Sequence, residues 1–207
     1  MKYFRHLFAV MALLGATCVH AEVVVGKDYK ILSNPQPTTG GKKVEVLEFF
    51  FYGCSHCYHL HPFMSEWERK KPKDVELKYV PVVFQESAEP MARAFYAVEA
   101  MGKLNKMHDE LFKSLYVFNL EMNDEASITN FVAKYGVDRA KFGAAYNSFA
   151  MQSKITRSSQ MVMSYAIRGT PSIIVDGKYI ITGLHPEETI RVLDEVIKIA
   201  RKERSKR

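Results

Sequence analysis

The sequence predicts an α/β fold in which a strand, a helix and a second strand are followed by several helices, a β-hairpin and a final helix. Three observations support this prediction. Residues 44–52 form a run of apolar, β-branched and aromatic side chains, which is typical of a buried strand. Residues 87–163 carry apolar side chains at helical spacing and no strand pattern. Asp176-Gly177 is a two-residue hairpin turn. We therefore expect a sheet with a helical subdomain inserted into it.

The first 21 residues have the pattern of a secretory signal. Lys2 and Arg5 precede an apolar run at residues 7–17, and residues 19–21 supply a small-x-small cleavage site. The apolar run is short for a permanent membrane span. We expect this segment to be removed and the mature protein to be exported to the periplasm. An uncleaved anchor and lipidation at Cys18 are the alternatives.

Length and charge restrict the possible classes of protein. With 207 residues, of which 47% are hydrophobic, the chain can form one large domain or a domain with an insertion. Removal of the two cations of the signal segment lowers the formal net charge from +6 to +4. Such a mild charge is weak evidence for nucleic-acid or membrane binding. We expect no nucleic-acid partner and a monomeric protein.

The amino-terminal half follows a strand, helix, strand order. Residues 29–31 fit a short edge strand, and the prolines and glycines of residues 34–41 indicate a loop. After the strand at 44–52, Gly53 permits a turn and Cys54 opens a helix, in which Pro62 should cause a kink. Residues 75–84 predict a second buried strand that ends near a proline.

The carboxy-terminal half is mostly helical. Ser87 and Asp138 are candidate helix caps, and glycines mark several helix ends. The expected helices and strands are at 87–102, 104–118, 124–135, a short helix from 138, 150–167, the hairpin at 172–175 and 178–182, and a last helix at 186–202. This order is a thioredoxin-like plan. It predicts a thioredoxin-like domain formed by residues 22–86 and 164–207, with residues 87–163 as the inserted helical subdomain.

Two cysteines lie at the start of the helix that follows the first buried strand. Once Cys18 is removed, Cys54 and Cys57 are the remaining pair. A disulfide that closes so short a loop stabilises the fold little, so the pair is better explained by chemistry. Unpaired N–H groups and the helix dipole lower the pKa of a thiol at this position. We therefore expect the pair to cycle between dithiol and disulfide.

Several motifs together resemble the DsbA family of bacterial periplasmic thiol:disulfide oxidoreductases. The resemblance covers nearly all of the mature chain. It includes LEFF at 47–50, the C-x-H-C motif at 54–57, Lys-Tyr at 78–79, Thr-Pro at 170–171 and DGKY at 176–179. The resemblance implies the thioredoxin-like fold with its helical insertion. A strongly lowered cysteine pKa and an oxidising couple are documented for DsbA itself, so both properties are implied by the resemblance.

The resemblance also implies roles for individual residues. Cys54 is expected to be the exposed attacking cysteine, and Cys57 its buried partner. Glu48 is expected to be the acid buried beneath the pair, with Lys78 near it. A carboxyl within an apolar strand is costly unless it is neutral, paired or hydrated, so a raised pKa suited to proton transfer with Cys57 is one interpretation. An edge-facing glutamate or a simple ion pair with Lys78 is the other. Pro171 is expected to be a cis-proline that faces the cysteines.

Three further residues complete the expected site. His56 can favour the Cys54 thiolate through its ring or its backbone N–H, although an exposed turn histidine is also possible. Ser55 stands where the best-known member of the family has proline, which leaves the strength of the oxidant open. Thr170 is expected to present its backbone to the client polypeptide for strand-like pairing.

The expected activity is donation of the Cys54–Cys57 disulfide to newly exported proteins through a mixed disulfide at Cys54. Reduced exported proteins are the expected substrates, and the resemblance implies reoxidation by a quinone-linked inner-membrane partner of the DsbB type. No cofactor besides the redox-active disulfide is expected. A zinc site with His59 and His61 is disfavoured because the ligands would crowd into two turns of one helix. The alternatives are a disulfide isomerase or reductant of the same superfamily, or a non-redox peptide-binding or glutathione-linked member of the fold.

Overall fold

A five-stranded mixed sheet forms the centre of the molecule. The computed structural model describes residues 22–206, so the expected signal segment and Cys18 lie outside the described residues. The strands are β1 Lys30–Ile31, β2 Val44–Phe50, β3 Val75–Pro81, β4 Ser172–Val175 and β5 Tyr179–Thr182. Their order across the sheet is β1-β5-β4-β2-β3, with β2 and β3 parallel and the other neighbours antiparallel.

Strand β2 is the central strand that leads to the cysteine pair. All seven of its residues are buried, including two glutamates. Its register with β3 pairs Leu47 with Lys78 and Glu48 with Tyr79. Because successive side chains of a strand point to opposite faces, Glu48 and Lys78 lie on different faces of the sheet.

Two helices cover the face of the sheet that carries Val44, Val46 and Glu48. They are α1 Ser55–Lys70, which runs through Pro62, and α7 Pro186–Arg204. Their apolar faces pack with this face of the sheet in a shared core. The Trp67 indole N–H donates to Asp194 Oδ1 at 2.8 Å and joins the two helices. Among residues 22–206, no helix is both long enough and apolar enough to cross a membrane.

Five helices between β3 and β4 pack around a second core. They are α2 Glu89–Ala100, α3 Leu104–Tyr116, α4 Glu125–Ala133, α5 Arg139–Tyr146 and α6 Phe149–Ser164. Asp138 caps α5 as expected, since its carboxylate accepts from the Lys141 N–H. The expected cap at Ser87 is wrong, because residues 86–88 form a 3₁₀ turn and Ala88 precedes α2. This second core also contains Phe50, Tyr52 and Cys57, so it extends to the cysteine pair.

The hairpin between β4 and β5 turns at Asp176-Gly177, as expected. Both residues have positive φ, +53° and +66°, which is the geometry of a tight two-residue hairpin turn. A Cβ on Gly177 would lie 2.1 Å from the Gln36 carbonyl oxygen. The turn is therefore closed against the loop that precedes β2, and Arg204 of α7 binds the Asp176 carboxylate.

Candidate active site

Cys54 occupies the N-cap of α1. Its backbone is extended, with φ −93° and ψ 112°, and its sulfur accepts from the Cys57 N–H at 3.3 Å. The Cys54 N–H donates to the Phe51 carbonyl oxygen at 2.9 Å, which holds the turn between β2 and α1. A Cβ on Gly53 would lie 2.4 Å from the Phe51 ring, so this turn needs glycine. The chain thereby places a half-buried sulfur at the free N–H groups of the first helical turn.

The surroundings of Cys54 favour its thiolate. They lower its pKa to about 5, chiefly through a hydrogen bond from the Cys57 thiol. Burial opposes this shift, and the Thr170 side chain and the backbone N–H groups of Cys57 and His56 add to it. When protonated, the Cys54 thiol donates to the Thr170 carbonyl oxygen at 3.3 Å. An ionised, half-exposed thiolate is a good nucleophile and a good leaving group.

Cys57 has the opposite character. It is completely buried, and this burial is the largest cause that raises its pKa. Its hydrogen bond to Cys54 and the negative charge there raise its pKa further. Both cysteines are free thiols in the structure. One turn of helix therefore carries one thiol that ionises readily and one that holds its proton.

Thr170 and Pro171 lie beside the cysteine pair, as expected. The peptide bond between them is cis. Both residues line an open groove that also contains His56 and the segment between β5 and α7. The loop that precedes β4 thus meets the amino end of α1 at Cys54, although 116 residues separate Cys54 from Thr170.

Ser55 and His56 form the first turn of α1, and both side chains are exposed. His56 favours the thiolate through its backbone N–H. The structure brings both residues to the cysteine pair.

Glu48 is fully buried on the α1 side of the sheet. Burial, with the nearby negative charge of Glu68, raises its pKa to about 8. Its Oε2 has no hydrogen-bond partner in the described part of the chain. Tyr79, its neighbour on β3, donates to Glu68 Oε2 at 2.9 Å. Glu48 is therefore a neutral acid at pH 7 with a free oxygen inside the protein.

The expected proximity of Lys78 to Glu48 is wrong. Lys78 Nζ lies 2.8 Å from Glu45 Oε2 and 3.1 Å from Glu76 Oε2, and it donates to Thr39 Oγ1 at 2.8 Å. The physical reason is the strand register, which places Glu45 and Lys78 on the face opposite Glu48. Lys78 therefore neutralises the buried Glu45, and the structure does not bring it to Glu48.

Two tyrosines beside the cysteines were missed by sequence reasoning. The Tyr58 and Tyr116 rings stack with centroids 4.5 Å apart and planes 12° apart. Burial and the charges of Cys54 and Cys57 raise the pKa of Tyr116 to about 12, which places its ring near the sulfurs. Tyr58 follows Cys54 by four residues, and this helical spacing places both side chains on the same side of α1, so its approach to Cys54 could have been predicted. Tyr116 comes from α3, and no local pattern predicts its approach.

The two histidines considered for zinc point to different surroundings. His59 is exposed and lines the groove beside Pro171. His61 is buried against the rings of His108 and Phe112, and burial lowers its pKa to about 4. Residues 22–206 contain no group of three or more histidine, cysteine or acidic side chains that could hold a metal ion.

A thioredoxin-like fold with an asymmetric C-x-x-C pair at a helix N-terminus and an adjacent cis-proline defines a thiol:disulfide oxidoreductase. The comparison with protein families agrees with this class. The chain belongs to the DsbA family, since the model of the DSBA-like thioredoxin domain matches residues 45–193. The protein is therefore a disulfide oxidoreductase.

Individual relatives show the same similarity over most of the chain. The chain is 38% identical over 155 residues to the thiol:disulfide interchange protein DsbA of Burkholderia cepacia, which covers 74% of this chain and 73% of the relative. It is 32% identical to DsbA of Pseudomonas aeruginosa over 194 residues, 92% of each chain. The crystal structure of Pseudomonas aeruginosa DsbA superposes with a TM-score of 0.84 at 32% identity, covering 88% of this chain and 97% of that one.

Proposed function

We propose that this protein is a periplasmic dithiol oxidase that donates the Cys54–Cys57 disulfide to newly exported proteins. The observation that carries the proposal is the difference between the two cysteines. Cys54 is half-buried and its pKa is lowered to about 5, whereas Cys57 is buried and its pKa is raised. A couple whose reduced form is stabilised in this way gains electrons readily, so it oxidises other thiols.

The first step is attack of a client thiolate on Cys54 Sγ of the oxidised protein. A bond forms between the client sulfur and Cys54 Sγ, while the Cys54–Cys57 bond breaks and its electron pair goes to Cys57 Sγ. The buried Cys57 then needs a proton, since its surroundings disfavour the thiolate. Glu48 is protonated at pH 7 and lies on the side of the sheet that packs against α1, so we assign it as the proton donor.

The second step releases the oxidised client. A second client thiolate attacks the client sulfur of the mixed disulfide, and Cys54 leaves as a thiolate. The client has lost two electrons and the protein has gained them. The groups that lower the pKa of Cys54 stabilise this leaving group. Thr170 and Pro171 line the groove beside Cys54, where we place the client backbone, and Ser55 and His56 complete the turn that holds the sulfur.

The cellular setting belongs to the same proposal. Residues 1–21 have the pattern of a cleaved secretory signal, which supports export to the periplasm. The electrons received from clients must leave again for a new cycle. We assign their removal to a quinone-linked inner-membrane protein of the DsbB type, and we propose that the protein acts as a monomer.

Oxidative refolding of a reduced test protein tests the proposal. The oxidised protein should form disulfides in the test protein, and Cys54→Ala should abolish this activity. Cys57→Ala has no disulfide to donate, so it should also fail to oxidise the reduced test protein. With a client that already carries a disulfide, its Cys54 thiolate should form a mixed disulfide that persists, because the resolving Cys57 thiol is missing. Equilibration with glutathione buffers then sets the direction of the reaction. A couple that stays oxidised in mildly reducing glutathione would contradict the role as an oxidase.

A further inference from the structure

An open groove lies next to Cys54, on the side of the cis-proline. It has a volume of about 550 Å³ and separates the first turns of α1 from the segment that joins β5 to α7. Two leucines contribute apolar wall, and three histidines contribute polar groups. We call it the histidine groove and define it by His56, His59, His185, Leu60, Leu184 and Pro171.

The histidine groove is continuous with the reaction centre. Thr170 and Pro171 line the groove, and the Thr170 carbonyl oxygen lies 3.3 Å from Cys54 Sγ. A client whose sulfur reaches Cys54 therefore places the residues next to its cysteine at or inside the groove. A concave site of this volume can take up a few side chains of an extended segment.

The three histidines are the only ionisable side chains that line the groove within the described residues. All three are exposed, and none has a side-chain hydrogen bond or ion pair to residues 22–206. Within the described part of the chain, the only aromatic ring paired with His59 is that of Tyr58, at 5.6 Å between centroids. His185 is the N-cap residue of α7, but its side chain makes no capping hydrogen bond. Three imidazoles are thus available to a ligand.

Among the described residues, no acidic side chain lines the groove and competes with a ligand for the imidazoles. Glu187 and Glu188 follow His185 in the first turn of α7, and neither lines the groove. Glu188 lies 3.7 Å from Arg191 in an ion pair. Arg168 is exposed and precedes Gly169, which lines the groove. On α1, no acidic residue lies within the first turn.

We propose that the histidine groove selects client segments that carry a carboxylate side chain close to the reacting cysteine. The inference rests on the proposed function and specifies its substrate class. Imidazole N–H groups donate to carboxylates, and a protonated ring adds charge to this hydrogen bond. Because the three rings are exposed, each contact is weak and the selection is moderate. We expect an acidic segment to react about two- to fivefold faster than its amide counterpart.

The test uses reduced two-cysteine peptides that differ only in Glu or Gln, placed in turn at each of the three positions on either side of the attacking cysteine. Second-order rate constants for their oxidation by the oxidised protein are compared as a Glu to Gln ratio. A nearby glutamate also changes the reactivity of the client thiol itself, and comparing the ratio between protein variants cancels this effect because the same peptides are used. For at least one position this ratio should exceed one at about pH 7.

The variant for this test is the double substitution His59→Gln and His185→Gln, which leaves His56 and both cysteines intact. Its ratio should fall to about one. Lys73→Gln is the matched control, because Lys73 is exposed, does not line the groove and has no partner among residues 22–206. It removes a cation without touching the groove, so the ratio should be unchanged. The two single substitutions keep the test valid if the double variant does not fold, since each should lower the ratio.

Two results would overturn the inference. One is a ratio of about one at every peptide position in the unsubstituted protein. The other is a preference for glutamate that survives unchanged in the double variant. Both differ from failure of the proposed function, in which neither the Glu peptide nor the Gln peptide would be oxidised.

Discussion

Cys54 and Cys57 share one turn of helix but differ in what surrounds them. Cys54 receives hydrogen bonds at the open end of α1, and Cys57 is enclosed by the aromatic core. The Cys57 thiol is also the largest single cause of the lowered Cys54 pKa. The buried cysteine therefore tunes the exposed one even before any disulfide forms.

Alkylation of the reduced protein should show this difference. Cys54 should react with an apparent pKa of about 5, while Cys57 stays unreactive because it is buried. The measurement is the rate of iodoacetamide labelling against pH, with the labelled cysteine identified by mass spectrometry. Cys57→Ala removes the main hydrogen-bond donor and should raise the pKa of Cys54, and Cys57→Ser should raise it less because the hydroxyl still donates. Equal titrations in all three proteins would contradict the assignment.

Glu48 should make the stability of the oxidised protein depend on pH. Its pKa is about 8 in the folded protein and near the ordinary glutamate value when unfolded. An acid with a raised folded pKa stabilises the fold below its unfolded pKa and loses this contribution as pH rises through the folded pKa. Glu48→Gln should therefore reduce the loss of unfolding free energy between about pH 5 and pH 8 by about 2–4 kcal/mol.

Urea unfolding of the oxidised form at both pH values measures this change, and the use of the oxidised form removes the titration of the cysteines. Glu66→Gln is the matched control, because Glu66 is an exposed glutamate on α1, the helix that covers the face of the sheet carrying Glu48. An unchanged pH dependence in Glu48→Gln would show that Glu48 is ionised in the fold.

Lys78 should contribute to stability and leave the cysteines unaffected. Lys78→Met leaves Glu45, which is 3% exposed, without its cation. Because Lys78 itself is partly exposed, we expect a loss of about 1–3 kcal/mol in unfolding free energy. The alkylation profile of Cys54 should stay the same, since Lys78 lies on the other face of the sheet. A shifted profile would show that Lys78 reaches the reaction centre after all.

The error about Lys78 has a physical origin. Glu48 and Lys78 lie on two neighbouring strands that also carry Glu45 and Glu76, so more than one pairing of these charges fits the sequence. Whether two strand residues share a face depends on register, and a shift of one residue reverses the answer. The register of β2 with β3 is fixed by pairing over seven residues, which sequence alone does not provide.

At the scale of elements, the β4–β5 hairpin shows how a turn and a loop depend on each other. Gly177→Ala should destabilise the protein in two ways, by the cost of positive φ and by the contact of the new Cβ with the Gln36 carbonyl oxygen at 2.1 Å. Gly136→Ala is the matched control, with φ +80° and no atom within 4 Å of the new Cβ. We expect a loss of about 1 kcal/mol for Gly136→Ala and a clearly larger loss for Gly177→Ala in urea unfolding. Equal losses would show that the loop moves aside at little cost.

Element types and most boundaries could be predicted because they depend on local chemistry. Asp124 and Asp138 cap their helices through hydrogen bonds to residues three positions later, which the sequence displays directly. Ser87 is also a common capping residue, but it lies inside a 3₁₀ turn. Helix α2 begins at Glu89, with Pro90 in its first turn. Which residue begins the α-helix here depends on how the following residues pack, and the sequence does not show this.

At the scale of the whole molecule, the redox state should change stability. The folded reduced protein keeps Cys54 as a thiolate, and an unfolded chain does not at neutral pH. A lowered folded pKa contributes stability above the unfolded pKa and loses it as pH falls through the folded pKa. The reduced protein should therefore melt at a higher temperature than the oxidised protein at about pH 7, and this difference should shrink towards pH 5. Calorimetry of both forms measures it, and a constant difference would contradict the role assigned to the thiolate.

The candidate site was predictable to the extent that it lies in one local segment. Cys54, His56 and Cys57 are adjacent in sequence, and the family resemblance supplied Thr170 and Pro171 from a distant loop. The three-dimensional surroundings were not predictable, because they depend on distant segments that approach the cysteines. Tyr116 comes from α3 of the insertion, and His185 comes from the start of α7.

The hydrogen bond between Trp67 of α1 and Asp194 of α7 has a practical consequence for the unfolding measurements named above. Trp67 is the single tryptophan of the chain, and its buried indole is held by Asp194. It lies ten residues after Cys57 on α1, about 15 Å along the helix axis. Its emission therefore reports whether the two helices are still joined, and it is poorly placed to be quenched directly by the sulfurs. A fluorescence signal from this one fluorophore can follow unfolding in either redox state without a label.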